Sequence, residues 1–130
     1  VAALDLATGE RRGSITAPAT ADVSDEEPGT VDRLVGGMAS LADPPVVLIA
    51  DPYRGAIMVF DASDTERLLD PDQQWGFLGA VGQLGVAPGE FAYIRSLLVL
   101  PDAGLLVVKD DLGERLQAFS LAEVLERATP

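Results

Sequence analysis

Short apolar runs separated by turn residues cover most of the chain, and this pattern predicts strands rather than long helices. Residues 38–62 and residues 97–121 carry the same pattern and align without a gap at an offset of 59 positions. The aligned copies share four identical pairs, which are Leu41 with Leu100, Asp43 with Asp102, Asp51 with Asp110, and Phe60 with Phe119. The repeat predicts that one structural unit occurs twice.

Each copy predicts three strands joined by tight turns. The strands span 38–41, 46–50 and 56–60 in the first copy, and 97–100, 105–109 and 115–119 in the second. Between the copies a fourth strand is predicted at 75–81, among several glycines. The second strand of each copy is a continuous apolar run, which is typical of a sheet covered on both faces. We therefore predict an all-β fold with two antiparallel, four-stranded sheets.

Two Ser-x-x-Glu motifs predict short helices after the third strand of each copy. In this motif the serine hydroxyl accepts a hydrogen bond from a free N–H of the first helical turn, and the glutamate reaches back to the cap. The motifs at 63–66 and 120–123 predict helices at 64–69 and 121–128. The second helix has an apolar stripe along one side, which favours packing against the core.

The chain is interpreted as one domain, since 130 residues is an ordinary domain length. Its predicted parts are a strand of a preceding unit at 1–13, an acidic loop at 14–33, a first unit at 34–91, and a second unit with a C-terminal helix at 92–130. The acidic loop is expected to be solvated. The alternative is a cation site formed by Asp22, Asp25, Glu26 and Glu27, although the loop lacks the ligand spacing of a calcium-binding loop.

Composition excludes several classes of chemistry. The chain has no His and no Cys, which excludes Ser-His-Asp and Cys-His catalysis, thiol redox chemistry and zinc fingers. A formal net charge of −12 repels nucleic-acid phosphates and anionic lipids, so neither is an expected partner. No apolar run approaches the roughly 20 residues of a membrane span. We predict a non-enzymatic protein without a catalytic site, a metal or a cofactor.

The most specific motif lies between the two copies. Residues 82–91 read Gly-Gln-Leu-Gly-Val-Ala-Pro-Gly-Glu-Phe, and a strand, a Pro-Asp-Ala-Gly turn and an apolar strand ending at Asp110 follow. Over residues 34–121 this arrangement resembles six-bladed β-propellers of the NHL-repeat kind. The resemblance implies that each sheet is a blade, so the fold is partial β-propeller-like. It also implies that the loop at 82–91 joins the outer strand of one blade to the inner strand of the next.

The chain departs from that family because it supplies only about two blades, and residues 25–31 hold a degenerate version of the loop motif. Two blades alone leave an apolar face open on each outer side, since blades bury their faces on neighbouring blades. Three arrangements solve this problem. Three chains can close a six-bladed ring, the chain can dock on a larger assembly, or the two sheets can pack as a compact domain.

These observations favour a non-catalytic interaction or scaffold subunit of a larger assembly, with protein partners or further copies of the chain covering the open sheet faces. The alternative is a small carbohydrate-binding module that closes a six-bladed ring as a trimer. A metal-dependent hydrolase or lactonase is a third hypothesis, weakened by the absence of His. The resemblance, with a first residue other than Met, predicts an extracytoplasmic location, periplasmic or secreted.

Aromatic and arginine side chains are the candidate contacts to a partner or ligand. They are Trp75, Tyr53, Tyr93, Arg54 and Arg95. Trp75 follows the polar stretch 70–74 and is therefore expected near the surface. The resemblance implies that the acidic residues after apolar strands fix the adjacent turns through hydrogen bonds to the backbone, with a ligand role as the alternative and with Lys109 and Arg95 as expected charge partners. These acidic residues are Asp51, Asp110 and Asp111.

Overall fold

The computed structural model describes residues 37–70 and 72–129, together with the backbone of two N-terminal strands. In chain order the described elements are β1 (Ala2–Leu4), β2 (Arg11–Ser14), β3 (Gly37–Ala42), β4 (Pro45–Asp51), β5 (Ala56–Asp61), α1 (Thr65–Leu69), β6 (Gly76–Val81), β7 (Ile94–Leu100), β8 (Leu105–Asp110), β9 (Arg115–Ser120) and α2 (Leu121–Ala128). Residues 15–33 of the predicted acidic loop, with the cation site hypothesised there, lie outside the described residues. The strands confirm an all-β fold.

The strands form antiparallel sheets in which neighbours in sequence are neighbours in space. The first sheet has the order β3-β4-β5-β6, the second has the order β7-β8-β9, and β1 pairs with β2 in a separate hairpin. The second sheet thus has three strands within the described residues rather than the predicted four. In both units a helix follows the third strand; after α1 the chain returns to form β6, and α2 is the last described element.

The two large sheets pack against each other through one apolar core. The first sheet contributes one face of β4 and β5, and the second sheet contributes the facing sides of β7 and β8, with α2 beside them. The fully buried members of this core are Leu48, Ala50, Ile57, Val59, Ile94, Leu106 and Val108. β3 and β7 lie close together, since a Cβ added at Gly37 would be 2.8 Å from the Cα of Ser96. The second sheet and α2 therefore together cover one side of the first sheet.

The two short helices begin at polar caps, one of which differs from the prediction. Ser120 caps α2, where its Oγ accepts a hydrogen bond from the Glu123 N–H at 3.4 Å, as the motif predicts. The predicted cap of α1 at Ser63 is wrong, because Asp64 accepts the Arg67 N–H at 3.1 Å. The Ser63 N–H is instead donated to the Asp61 carboxylate. No helix in the described part of the chain is long and apolar enough to cross a membrane.

Helix α2 lies directly on β6, and a glycine permits the approach. A Cβ added at Gly79 would overlap the carbonyl oxygen of Ala128, the last residue of α2. Leu121, Val124 and Ala128 are buried on this side of the helix. The apolar stripe therefore packs on the core, as predicted. Residues 62–69 are the equivalents of α2 in the first copy, and they include α1. Helix α1 lies beside β2, just as α2 lies beside β6, so each helix contacts the last strand of the preceding sheet.

We expect Gly79→Ala to lower the free energy of unfolding by about 1–3 kcal/mol, because the new methyl group forces α2 away from β6. Gly76→Ala on the same strand is the matched control. Its Cβ would meet the movable Arg67 guanidinium at 3.2 Å, so a change below about 0.5 kcal/mol is expected. Chemical denaturation of both variants measures the difference. Equal effects at the two positions would contradict the close contact of α2 with Gly79.

Candidate interaction surface

The second sheet has one face that is both apolar and exposed. Leu98, Val107 and Ala118 lie opposite one another in the strand register, so their side chains share a face. The members of this surface, which we call the open face, are Leu98, Leu100, Leu105, Val107, Leu116 and Ala118. Leu98 is 54% exposed and Leu116 is 70% exposed. The opposite face of the same sheet is the one packed on the first sheet.

The repeat gives each open-face residue an equivalent in the first sheet, and these equivalents are mostly buried. Leu116 corresponds to Ile57, which is 1% exposed, and Leu105 corresponds to Val46, which is 4% exposed. Ile57 and Val46 are buried because they belong to the core shared with the second sheet. In the first sheet, the surface equivalent to the open face is covered by the second sheet together with α2.

The outer face of the first sheet is covered over β4 and β5, while Met38 of β3 is 49% exposed on it. Ile49, Met58 and Phe60 point to this side and are at most 4% exposed. They form a second core cluster with Trp75, against which Leu68 of α1 packs. The expectation of an open apolar face on each outer side is thus correct for the second sheet and wrong for the first. The continuous apolar run of β4 is buried on both faces, as predicted, whereas β8 is fully covered on one face only.

Asp110 organises the end of the second sheet where β8 stops. Its side chain is fully buried and accepts hydrogen bonds from the N–H groups of Ala92 (2.8 Å), Tyr93 (2.9 Å) and Gly113 (3.0 Å). The Arg115 Nε lies 3.6 Å from its Oδ2. Burial alone would raise the pKa of this carboxyl, but the three N–H donors and the guanidinium outweigh it and lower the pKa. The predicted turn-fixing role is confirmed.

The loop at 82–91 joins β6 to β7 and is fastened to β9. Arg115 donates to the carbonyl oxygens of Val86 (2.6 Å) and Glu90 (2.7 Å), and Gln117 bonds Glu90 and Gly89. The Gln83 side chain donates to the Glu90 carboxylate at 2.7 Å, and this bond, with one from the Ala87 N–H, lowers the Glu90 pKa. The loop is therefore a defined structure with its own internal bonds.

Four of the five candidate contact residues lie at one end of the two sheets, beside this loop. Tyr53 is exposed in the β4–β5 turn, and Arg54 pairs with Asp51 at 3.2 Å in the same turn. Tyr93 is half-buried and precedes β7. Arg95 lies at a register shift between Ile94 and Ser96, which is where a bulge re-aims a side chain.

The charges at this end are paired as predicted. The Arg95 Nε lies 3.5 Å from one Asp111 oxygen, and the Lys109 Nζ lies 3.4 Å from the other. Asp51 accepts the N–H groups of Tyr53 and Arg54, so it fixes its turn in the same way as its repeat equivalent Asp110. The contact role of the tyrosines and arginines stays a prediction.

The expected position of Trp75 near the surface is wrong. The ring is 9% exposed and packs edge-to-face on Phe60, with the ring centroids 6.3 Å apart. Its Nε1–H is donated to the Leu68 carbonyl at 3.1 Å, which satisfies the indole donor in a buried position. The polar residues before it face solvent while the ring turns inward onto the sheet. Trp75 therefore stabilises the first sheet and offers little surface to a partner.

A cavity of about 300 Å³ lies between the first sheet, β9 and α2. Its lining includes Ile57, Phe91 and Phe119, with Glu123 and Arg127 of α2 among the polar members. None of the five candidate contact residues lines it. Among the residues that the structure describes, no group of three acidic side chains is arranged to hold a metal ion. The open face, rather than the cavity, is the largest unexplained feature.

No family model, curated protein or solved structure matches the chain significantly. The open face was foreseen only in general terms, as an unpaired blade surface. The repeat shows which first-copy residues are equivalent to Leu98 and Leu116, but only the structure shows that those equivalents are covered. The resemblance to NHL-repeat propellers stays a prediction.

Proposed function

We propose that the protein is a non-catalytic interaction subunit of an extracytoplasmic assembly, and that the open face is where a partner protein packs. The observation that carries this proposal is the contrast between Leu116, which is 70% exposed, and its repeat equivalent Ile57, which is 1% exposed. Contiguous exposed apolar surface is rare on soluble monomers and marks interaction sites. The partner covers the open face of the second sheet, in the way that the equivalent face of the first sheet is covered within this chain.

The chemistry of the open face favours a protein partner over a small ligand. It is a broad sheet surface of aliphatic side chains, whereas a ligand site needs a concave pocket with placed polar groups. Lys109, which lies on the same face at the end of the central strand β8, is paired with Asp111. The carbohydrate-binding alternative loses its preferred aromatic contact, because Trp75 is buried. Apolar association driven by burial of leucine side chains is the interaction that these residues support.

We expect the isolated chain to bind the uncharged apolar dye Nile red and to approach the mass of two chains at high concentration by light scattering. Leu98→Lys combined with Leu116→Lys is expected to abolish both signals, because buried lysine charges oppose apolar association. Leu112→Lys is the matched control. Leu112 is 72% exposed, nearly as much as Leu116, but it lies in the β8–β9 turn outside the open face.

The outcomes separate the arrangements that the sequence leaves open. A monomer that binds no dye would mean that the open face is covered within the chain, and the proposal would be abandoned for a compact two-sheet domain. A discrete mass of three chains would favour a closed ring and the carbohydrate-binding alternative, to be followed by a glycan-binding assay. Loss of dye binding in the double variant and in the Leu112→Lys control alike would place the apolar patch elsewhere.

A further inference from the structure

The second sheet also has an unpaired strand edge. In the first sheet β5 pairs with β4 on one side and with β6 on the other. Its equivalent, β9, pairs with β8, and no other strand of the described residues pairs with it. A strand edge with unpaired N–H and C=O groups is a template for another strand.

The hydrogen-bond pattern identifies which backbone groups face this edge. The Leu121 N–H is donated to the Gly104 carbonyl at 2.9 Å, and this pair continues the β8–β9 register. In an antiparallel ladder, hydrogen-bonded pairs occur at every second residue. The β9 residues bonded to β8 are therefore Arg115, Gln117 and Phe119. The alternate residues, which are Leu116, Ala118 and Ser120, point their N–H and C=O groups away from β8.

The same reasoning applied one repeat earlier shows what such groups bind. The Ala62 N–H is donated to the Pro45 carbonyl at 2.9 Å in register with the β4–β5 ladder. Ile57 and Val59 therefore point their backbone groups toward β6, and they pair there with Val81 and Gly79. At an offset of 59 positions these two residues correspond to Leu116 and Ala118. The free edge of β9 is therefore equivalent to the edge of β5 that β6 occupies in the first sheet.

Helix α2 does not replace the missing strand. Although it follows β9 immediately, it leaves the second sheet and packs on β6, where its last residue meets Gly79. Its buried residues belong to the core between the two sheets. The helix of the first unit likewise does not take the strand position beside β5, which β6 occupies. The position next to β9 is therefore left to another segment.

We propose that the edge of β9 binds an extended, apolar segment of a partner as an antiparallel fourth strand, in the register that β6 adopts on β5. This inference rests on the proposed function and specifies one mode of contact with the partner. The segment resembles β6 in chemistry, with small and large apolar residues and no charge. Leu116 and Ala118 donate their N–H groups to its carbonyl oxygens.

The test attaches such a strand to the intact chain. Residue 130 and residue 71 are both proline and lie 59 positions apart, so a second copy of residues 72–85 added after Pro130 continues the repeat in register. We expect amide hydrogen exchange at Leu116 and Ala118 to slow at least tenfold in the extended chain, without a comparable change at Gln117. A synthetic peptide of residues 72–85, titrated into the unextended chain, is expected to protect the same two amides.

Two controls make the result specific. An extension that carries Val81→Pro in the appended copy lacks a donor that faces β9, so it is expected to leave exchange unchanged. Ala118→Pro in the host removes an edge N–H without touching the β8 ladder and is expected to abolish peptide protection. Circular dichroism checks that the Ala118→Pro variant keeps its sheets. If the variant does not fold, the extension that carries Val81→Pro serves as the control.

Two results would overturn the inference. Either the extended chain exchanges at Leu116 and Ala118 as fast as the unextended chain, or these amides are already protected before any strand is added. The proposed function is read separately, by dye binding and mass in the open-face lysine variants. If those variants lose dye binding while strand addition fails, only the strand inference is rejected. If strand addition succeeds while the dye never binds, only the open-face proposal is rejected.

Discussion

Asp110→Ala is expected to lower the free energy of unfolding by about 3–5 kcal/mol. The substitution removes a fully buried acceptor of three backbone N–H groups, from Ala92, Tyr93 and Gly113, and leaves these half-buried groups without that partner. It also leaves the Arg115 guanidinium without its nearest carboxylate. Because a domain is stable by only about 5–15 kcal/mol, the loss is a large share of the total. Urea denaturation measures it.

Asp51→Ala is the matched control, since Asp51 is the repeat equivalent of Asp110. It accepts two backbone N–H groups in its own turn, but its side chain is 17% exposed, so water replaces part of what is lost. A cost of about 1 kcal/mol is expected. Equal costs at the two positions would contradict the special role of burial at Asp110.

The same carboxylate makes stability depend on pH in acid. Because its pKa is lowered in the folded protein, its contribution is complete above the unfolded value of about 3.9 and is lost as the pH falls toward the folded value. Asp110→Asn is expected to flatten this acid limb. With no His in the chain, no side chain with an ordinary pKa between 5 and 8 titrates, so stability is expected to be nearly constant there.

Phe60→Ala is expected to cost about 3–5 kcal/mol, because it opens a cavity under the closed face of the first sheet. Phe60 is fully buried, with its ring centroid 5.5 Å from that of Phe77 and 6.3 Å from that of Trp75. The chain has a single tryptophan, so the near-ultraviolet circular dichroism and fluorescence of Trp75 report the change directly. We expect both signals to shift toward those of a more mobile, more solvated indole.

Phe119→Ala is the control for Phe60, since the two phenylalanines are identical positions of the repeat. Phe119 is half-buried, contacts Phe91 at 5.7 Å and already borders the cavity beside α2. Its removal is expected to cost about 2 kcal/mol and to leave the Trp75 signals unchanged. A larger loss at Phe119 than at Phe60 would show that the core between the sheets, rather than the outer cluster, dominates stability.

Local patterns in the sequence predict most of this fold. The strand predicted at 115–119 is Arg115–Ser120 in the structure, and the helix predicted at 121–128 is Leu121–Ala128. Strand periodicity, Gly and Pro punctuation and a serine cap are short-range signals, so a single sequence carries them. The turn-fixing role of Asp110 was also predictable, because an Asp after a strand and near a Gly commonly accepts backbone N–H groups.

Features that depend on which surfaces meet were not predictable. Trp75 follows polar residues, yet it is buried because α1 and Phe60 form a site for its ring. Leu98 and Met58 are both apolar residues in strands, but only a three-dimensional arrangement shows that the first is exposed and the second is not. The repeat helps to predict exposure, because it identifies equivalent residues in the two sheets before the structure shows which of them are covered.

The packing of the two sheets has a direction. The two sheets contact each other through non-equivalent faces, so the contact is heterologous. Heterologous contacts can propagate into rings or filaments. Here the outward side of the first sheet is closed by Phe60, Ile49 and Met58. Within the described residues, the open face is the apolar sheet surface left for a further unit. If two copies of this chain pair through the open face alone, they meet like to like about a two-fold axis, and that contact does not by itself extend into a fibre.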